Sequence, residues 1–196
     1  MNRAPVALVV VLAVGLTACG APAVEGSSSP PMTAEPPPAV SPGMSSAAEV
    51  DATLLDVLPA SINGIPVVEA LEEAALAIDD PTVARISSAV DVGVAVDAST
   101  GNLVTAHIVR LREGAFDDAT FRQWRDSFDE GACAGAGGIE GHAEVPIADR
   151  VVFVTSCVAE QRIYHLWLED QDLLISASAV GTGDFGELLM NQLRIP

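Results

Sequence analysis

Two cysteines and two histidines are the residues of this chain best suited by type to hold a metal ion. His142 follows Cys133 by nine positions (133 to 142), and His165 follows Cys157 by eight (157 to 165). Structural zinc sites use tighter pairs, with about two to four residues between cysteines and about three to five between histidines. The set therefore fits zinc by count but not by spacing, and we predict no metal site. His107 and His165 lie in apolar segments, where a solvated or hydrogen-bonded imidazole is expected.

Paired acidic residues raise the separate question of calcium. They lie where a helix cap or a turn is predicted, and there an Asp side chain bonds the local backbone. A calcium loop of the pattern Asp-x-Asp-x-Asp-Gly does not occur in the sequence. We therefore predict neither a metal nor another cofactor. The pairs are Asp79-Asp80, Asp117-Asp118 and Asp170/Asp172.

The sequence lacks the motifs typical of serine hydrolases and of nucleotide-binding proteins. The Gly-x-Ser-x-Gly turn that exposes a nucleophilic serine is absent from the sequence. The glycine-rich residues 135–141 lack both the Gly-x-Gly-x-x-Gly pattern and a lysine, so they do not predict a phosphate cradle. No catalytic residue is assigned, and the sequence favours a protein that is not an enzyme.

The charge balance excludes whole classes of partner. The chain has 196 residues, with 27 acidic residues against nine arginines and no lysine, and its formal net charge is −18. Such a chain cannot neutralise nucleic-acid phosphates, nor adhere by charge to anionic lipid headgroups. Its 49% apolar content is sufficient for a hydrophobic core, and its length fits one domain with a tail.

The N-terminus carries the most specific signal in the sequence. Met1-Asn2-Arg3 supplies one positive charge, and no charged residue follows from position 4 to position 18. This run is shorter than the ~20 residues that a membrane-spanning helix needs. It has the length of the apolar region of a secretory signal peptide, which we assign to residues 1–18. The run closes on Leu16-Thr17-Ala18-Cys19.

These four residues resemble the lipobox of bacterial lipoproteins, in which an aliphatic residue and two small residues precede a cysteine. The resemblance implies cleavage before Cys19 and a diacylglyceryl group on its thiol, with a palmitate-type acyl chain on the freed amine. Two or three acyl chains anchor a protein stably where one does not. The resemblance therefore implies a protein held by lipid on the extracytoplasmic face of the cell membrane.

Acylation of Cys19 leaves Cys133 and Cys157 as the remaining thiols. Export places them in an oxidising compartment, where an even pair most simply forms a disulfide. We predict a structural disulfide between Cys133 and Cys157.

A tether is predicted between the lipid anchor and the folded part of the chain. Residues 19–53 are rich in proline, serine and alanine without a hydrophobic period, a composition that cannot repay the entropy of ordering. As a flexible coil of ~30 residues the segment would span roughly 30 Å, and as an extended polyproline helix about 90 Å. Residues 54–196 are then a single globular domain.

The first predicted helix of this domain covers residues 67–78. Its apolar residues recur at helical spacing opposite Glu69, Glu72 and Glu73, and Asp79-Asp80-Pro81 ends it. Residues 82–89 fit either a short helix or the approach to a strand.

A second helix is predicted to begin after a cap at Asp117 or Asp118 and to end at Gly131. Phe121, Trp124 and Phe128 share one of its faces. Two ion pairs at i, i+4 spacing are expected along it, Arg122–Asp126 and Arg125–Asp129. A third helix is predicted after an Asp184 cap, with its apolar stripe formed by Phe185, Leu188, Leu189 and Leu193.

Five strands are predicted from apolar, β-branched runs, and a sixth, weaker one at residues 143–147. Residues 97–102 form the turn of a hairpin, with Asp97 bonding the backbone and Gly101 free to adopt a positive φ. The segment 151–158 is nearly all apolar, as expected of a central strand buried on both faces. Short connections favour an antiparallel sheet. The fold class is α+β, with about five strands and about three helices packed mainly on one face. The five strands are residues 90–96, 103–111, 151–158, 162–168 and 173–180.

These features favour a non-enzymatic binding or interaction module of the cell envelope, because a lipid anchor and a tether would present the domain to a binding partner outside the membrane. Its expected partners are the membrane, through the anchor, and an envelope protein or a small apolar ligand. A carrier of a lipid-like ligand is one alternative, and it requires a cavity of roughly several hundred Å³ lined by aromatic side chains. An envelope hydrolase is the other. It requires His142 or His165 in hydrogen-bond reach of a carboxylate and a serine inside a cleft.

Overall fold

A computed structural model describes residues 47–195 of the chain. The predicted signal peptide, the lipobox with Cys19 and most of the predicted tether lie outside the described residues. Within the described part, the fold is α+β and is built on one mainly antiparallel sheet of eight strands.

The sheet has the strand order β1-β5-β6-β10-β9-β8-β7, with β4 also paired to β5. β1 is parallel to β5 and the other pairs are antiparallel. Strands β2 and β3 form a separate two-stranded ribbon. The strands are β1 Glu49–Val50, β2 Ser61–Ile62, β3 Ile65–Pro66, β4 Val68–Glu69, β5 Ser87–Asp97, β6 Asn102–Leu111, β7 Ile139–Ile147, β8 Arg150–Cys157, β9 Gln161–Leu168 and β10 Leu173–Val180.

Helices cover both faces of this sheet. Three of them, α1 to α3, pack on one face. Their apolar residues, such as Val83 and Trp124, form a buried cluster with residues of the sheet such as Leu174. On the other face, α4 and a 3-10 helix pack through Leu54, Leu58 and Leu189. The helices are α1 Leu71–Asp79, α2 Pro81–Ile86, α3 Asp118–Ala134 and α4 Phe185–Asn191, and the 3-10 helices are Ala52–Val57 and Glu169–Gln171.

The sheet is larger than the five strands predicted: the short edge strands β1 and β4 were not recognised, and the weaker strand predicted at residues 143–147 is part of the longer edge strand β7. β4 occupies positions predicted to begin the first helix, which starts only at Leu71. Val68 and Glu69 pair instead with Val94 and Gly93 on β5. β1 precedes residue 54, so the folded part of the chain begins within the segment assigned to the tether.

The hairpin of β5 and β6 is confirmed. Their register runs from Asp97 opposite Asn102 along the length of both strands. In the turn, an Asp97 carboxylate oxygen accepts the backbone N–H of Ser99 at 2.9 Å, and Gly101 has a φ of 77°. Because a left-handed backbone suits glycine, the turn residues fix where the two strands meet.

The second predicted helix is confirmed as α3, but it runs past Gly131 to Ala134. Asp117 caps it by accepting the N–H of Thr120 at 2.8 Å. This backbone bond, together with a bond from the Thr120 hydroxyl, lowers the pKa of Asp117. The helix continues through Gly131 because Cys133, one half-turn later, is fully buried and fixed to the sheet.

The predicted disulfide between Cys133 and Cys157 is present, with 5.3 Å between the two Cα atoms. It joins the last turn of α3 to the end of β8. Both cysteines lie in a small buried cluster with Ala136 and Ile163. The disulfide therefore fixes the C-terminal end of α3 against the sheet.

The centre of the sheet is β10, and not the segment 151–158 as predicted. β10 pairs along its whole length with both β6 and β9, and its first five residues are buried. β8 lies next to the edge strand β7. Three of its eight residues are buried: Val152, Thr155 and Cys157. An apolar run did not distinguish a central strand from one near the edge.

The third predicted helix is confirmed as α4, without the predicted side-chain cap at Asp184. Phe185, Leu189 and Leu193 are buried, as their spacing predicted. The helix lies very close to the sheet, since a Cβ added at Gly186 would clash with the Tyr164 ring. Any larger residue at Gly186 would push α4 away from β9.

Candidate functional site

A continuous chain of hydrogen bonds runs between α3 and the sheet. At its centre, the His165 ring lies 2.9 Å from a carboxylate oxygen of Asp129 through Nε2 and 2.9 Å from the Ser176 hydroxyl through Nδ1. Trp124 donates its indole N–H to the same hydroxyl at 2.9 Å. Asp129, His165 and Ser176 are all buried. Polar side chains in such a position are stable only when every donor and acceptor is paired.

The strand register explains how these residues meet. His165 on β9 lies directly opposite Ser176 on β10 and Phe153 on β8, so the three side chains share one face of the sheet. That face carries α3, on which Trp124 and Asp129 are buried. The side chains of α3 are therefore placed directly over a polar row of the sheet.

The chain of bonds continues outwards from Asp129 towards solvent. Thr155 donates its hydroxyl to the second carboxylate oxygen of Asp129 at 2.6 Å. His142 Nδ1 lies 2.9 Å from the same hydroxyl oxygen. Thr155 is buried, whereas the His142 side chain is 59% exposed. His142 is thus the outer end of a network that begins at Trp124.

The donor and the acceptor of each hydrogen bond in this network can be assigned from the chemistry of the groups. A carboxylate only accepts, so His165 Nε2 carries a proton, and in the neutral ring Nδ1 then accepts the Ser176 hydroxyl. Since the single Thr155 hydroxyl proton goes to Asp129, His142 must donate from Nδ1 to Thr155. In a neutral imidazole the other ring nitrogen is then an acceptor. In its neutral form, His142 therefore offers Nε2 as a hydrogen-bond acceptor.

An open cleft of about 500 Å³ lies beside the outer end of the network. It is bounded by α3 on one side and by β7 and β8 on the other. Glu144 lies two residues from His142 on β7, which places both side chains on the same face. The cleft is lined by Arg125, Asp126, Asp129, His142, Ala143, Glu144, Phe153, Val154 and Thr155.

Arg125 lines this cleft and contacts two aromatic side chains. Its guanidinium carbon lies 4.1 Å from the centre of the Phe153 ring and 5.1 Å from that of Phe121. The ion pair predicted between Arg125 and Asp129 is wrong, because both oxygens of Asp129 bond His165 and Thr155. The predicted pair of Arg122 and Asp126 is likewise not among the salt bridges of residues 47–195.

Ser176, His165 and Asp129 have the residue types of a hydrolytic triad, but their placement does not suit one. A nucleophilic hydroxyl must reach substrate. Ser176 is fully buried, and its oxygen already accepts the Trp124 N–H. His165, the base of such a triad, has no exposed surface. The arrangement stabilises the packing of α3 on the sheet.

The four residues that fit zinc by count do not meet as a set. Cys133 and Cys157 are joined in the disulfide, while His142 and His165 bond to Thr155 and Asp129. Over the whole described range, 47–195, no group of three or more His, Cys, Asp or Glu side chains is placed to hold a metal ion.

A second pocket, of about 420 Å³, lies on the same face between α1, α2 and α3. Half of its lining residues are apolar, including Leu76, Val83, Trp124 and Phe128, and Glu73 and Asp80 are among the polar ones. His107 on β6 also lines it, and the His107 ring meets the edge of Phe128 at 5.6 Å between centres. Burial lowers the pKa of His107 to about 4.

His107 should make the stability of the fold depend on pH in the acidic range. Its pKa is lower in the folded state than the usual ~6.5 of an unfolded chain, so the unfolded state binds the proton more readily. The stability contribution is complete above pH 6.5 and is lost as pH falls towards 4, at up to about 1.4 kcal/mol per pH unit.

The measurement is chemical denaturation of wild type and His107→Gln at several pH values from 7.5 to 4.5. We expect the difference in unfolding free energy between them to change in favour of the variant as pH falls. A constant difference would contradict the expectation, as would an NMR titration of the His107 ring with a midpoint near 6.5.

Sequence reasoning did not find Asp129, Ser176 and Arg125 as parts of one site. One signal was available: Asp129 lies eight residues, or about two turns, after Phe121 and therefore on the apolar face of α3. A carboxylate in such a position needs a buried partner. The partners themselves come from strands far away in the sequence, and only the sheet register brings them together.

No known protein family, curated protein or solved structure matches this chain. Between residues 47 and 195, none of the helices is long and apolar enough to cross a membrane.

Proposed function

We propose that this protein is an extracytoplasmic lipoprotein, anchored to the cell membrane by lipid on Cys19, whose domain is a non-enzymatic binding module of the envelope. The observation that carries the binding function is the cleft between α3 and β7–β8. Its volume of about 500 Å³ lies in the range of small-ligand sites, about 300–1,000 Å³.

The polar groups of the cleft support this proposal. The buried network holds His142 from behind through Thr155, and two phenylalanine rings hold Arg125. Groups fixed in this way lose little conformational entropy when a ligand binds. A serine nucleophile is not among the residues that line the cleft, so recognition is favoured over hydrolysis.

A carrier of an apolar ligand is the second candidate. The pocket of about 420 Å³ beside His107 supports it, because Leu76, Val83, Trp124 and Phe128 form an apolar part of its lining. This pocket and the cleft lie on opposite sides of α3, so variants can separate the two functions.

Native mass spectrometry of the full-length protein, released from membranes in mild detergent, tests the binding function. We expect a small-molecule mass beyond the covalent lipid that leaves on denaturation. The variant Glu144→Trp, which places a bulky ring in the cleft, should abolish that mass. Glu140→Trp is the matched control, because Glu140 is an exposed residue of the same strand that does not line the cleft.

The outcomes separate the candidates. Loss of the ligand in Glu144→Trp and retention in Glu140→Trp supports binding in the cleft. A lipid-like mass retained by both variants and lost from Leu76→Trp supports the carrier instead. A protein that carries nothing and also binds no added ligand would count against both.

Replacing the anchoring cysteine tests the proposed localisation. Cys19→Ala removes the thiol that would accept the diacylglyceryl group, so the protein should move from the membrane fraction to the soluble extracytoplasmic fraction. Immunoblots of the two fractions measure the change. Cys133→Ser is the control, because it removes a cysteine that is not the proposed lipidation site. This variant should remain in the membrane fraction. Retention of Cys19→Ala would show that another segment is the anchor.

A further inference from the structure

We infer that the cleft between α3 and β7–β8 takes a zwitterionic ligand of the amino-acid or short-peptide class, with the carboxylate on Arg125 and the ammonium group among Glu144, Asp126 and His142. The inference rests on the proposed binding function and names the chemistry of that site.

Arg125 is suited to receive a carboxylate. Its guanidinium carbon lies over the Phe153 and Phe121 rings, and these contacts restrict the movement of the side chain. In the described part of the chain it takes part in no salt bridge. Its Nε is buried, so a carboxylate in the cleft would bind the two terminal Nη groups. A planar guanidinium presents paired N–H donors that match the two oxygens of a carboxylate.

The other polar groups of the cleft are hydrogen-bond acceptors, and a ligand that binds them must supply hydrogen-bond donors. Glu144 and Asp126 are exposed carboxylates that line it. In its neutral form, His142 also offers Nε2 as an acceptor. An ammonium group carries three N–H donors and a positive charge, so it satisfies several of these groups at once.

The charges that line the cleft favour a zwitterionic ligand over a ligand with only one sign of charge. A purely anionic ligand would meet Arg125 but would lie beside the carboxylates of Asp126, Asp129 and Glu144. A purely cationic ligand would leave the Arg125 guanidinium without a counter-charge in a partly desolvated site. Leaving either charge unpaired costs binding free energy. One ligand that carries both charges pairs with both parts of the cleft.

The test is calorimetric titration of the full-length protein in detergent with tri-alanine and two blocked forms of it. Tri-alanine carries both terminal charges and minimal side chains. Tri-alanine amide lacks the carboxylate, and N-acetyl-tri-alanine lacks the ammonium group. We expect each blocked form to bind at least tenfold more weakly than tri-alanine. Equal affinity of the amide and the acid would overturn the inference, as would no binding of tri-alanine.

Variants of Arg125 locate the carboxylate. Arg125→Gln should weaken tri-alanine binding at least tenfold and bring its affinity close to that of the amide. Arg125→Lys keeps the charge without the planar donor pair and should give a partial loss. Arg122→Gln is the matched control, one turn earlier on the exposed side of α3, and should bind like wild type. Unchanged discrimination in Arg125→Gln would place the carboxylate elsewhere and overturn the assignment.

The blocked peptides are compared on the wild-type protein, so their result does not depend on how well the Arg125 variants fold. A native ligand that Glu144→Trp displaces, combined with no binding of tri-alanine, would overturn this inference and leave the binding function standing. Selective binding of tri-alanine to a protein that carries no native ligand would support both the inference and the binding function, because purification can remove a weakly bound ligand.

Discussion

Asp129→Ala is expected to lower the free energy of unfolding by about 3–5 kcal/mol, because it removes two hydrogen bonds to a buried carboxylate, each worth about 1.5–3 kcal/mol. The side chain accepts from Thr155 at 2.6 Å and bonds His165 at 2.9 Å. Without it, a ring N–H and a hydroxyl are left unpaired in the interior. Urea denaturation followed by circular dichroism measures the loss.

Asp126→Ala is the matched control for this experiment. Asp126 lies on the same helix and is exposed, so its replacement should change stability by less than about 0.5 kcal/mol. Asp129→Asn should fall between the two, since an amide oxygen can still accept one of the two bonds. If Asp129→Ala were as stable as Asp126→Ala, the network would not be what holds α3 on the sheet.

The double variant Cys133→Ser/Cys157→Ser is expected to lose about 3.5 kcal/mol, the chain-entropy value for a closed loop of about 25 residues. The disulfide joins the end of α3 to β8 across the turn and strand between them. Its removal enlarges the unfolded ensemble and frees the last turn of α3. Denaturation under non-reducing conditions measures the change.

Reduction supplies an independent check of this prediction. A reducing agent should lower the stability of wild type to nearly that of the double variant and leave the variant unchanged. Thiol titration of the native protein should detect neither cysteine. A wild type that is insensitive to reduction, or that shows two free thiols, would contradict the prediction.

Local signals in the sequence were sufficient for the hairpin, α3 and α4. The β5–β6 turn carries its own determinants in Asp97 and Gly101, and the aromatic spacing of α3 has no competing strand pattern. The disulfide was predictable because only two thiols remained once Cys19 was assigned to acylation. In these cases the residues that specify the feature are close together or few in number.

Features that depend on distant pairing were not predictable. Val68 and Glu69 look helical from their neighbours, yet β5 offers them an edge to pair with. The choice of β10 as the central strand depends on which strands flank it, and its alternating serines and alanines are less apolar than the segment 151–158. The contacts of Asp129 depend on the register of β9 and on the position of α3 together.

The position of β10 also sets an order of assembly. Its neighbours in the sheet are β6 and β9, so it alone joins the β5–β6 hairpin to the β7–β8–β9 meander. Pairing of β6 with β10 brings together residues such as Leu103 and Val180, which are far apart in the sequence. Contacts of this kind form slowly. A chain that emerges N-terminus first must therefore keep two unjoined sheets until β10 appears, and the open strand edges of such an intermediate are prone to pair with other chains.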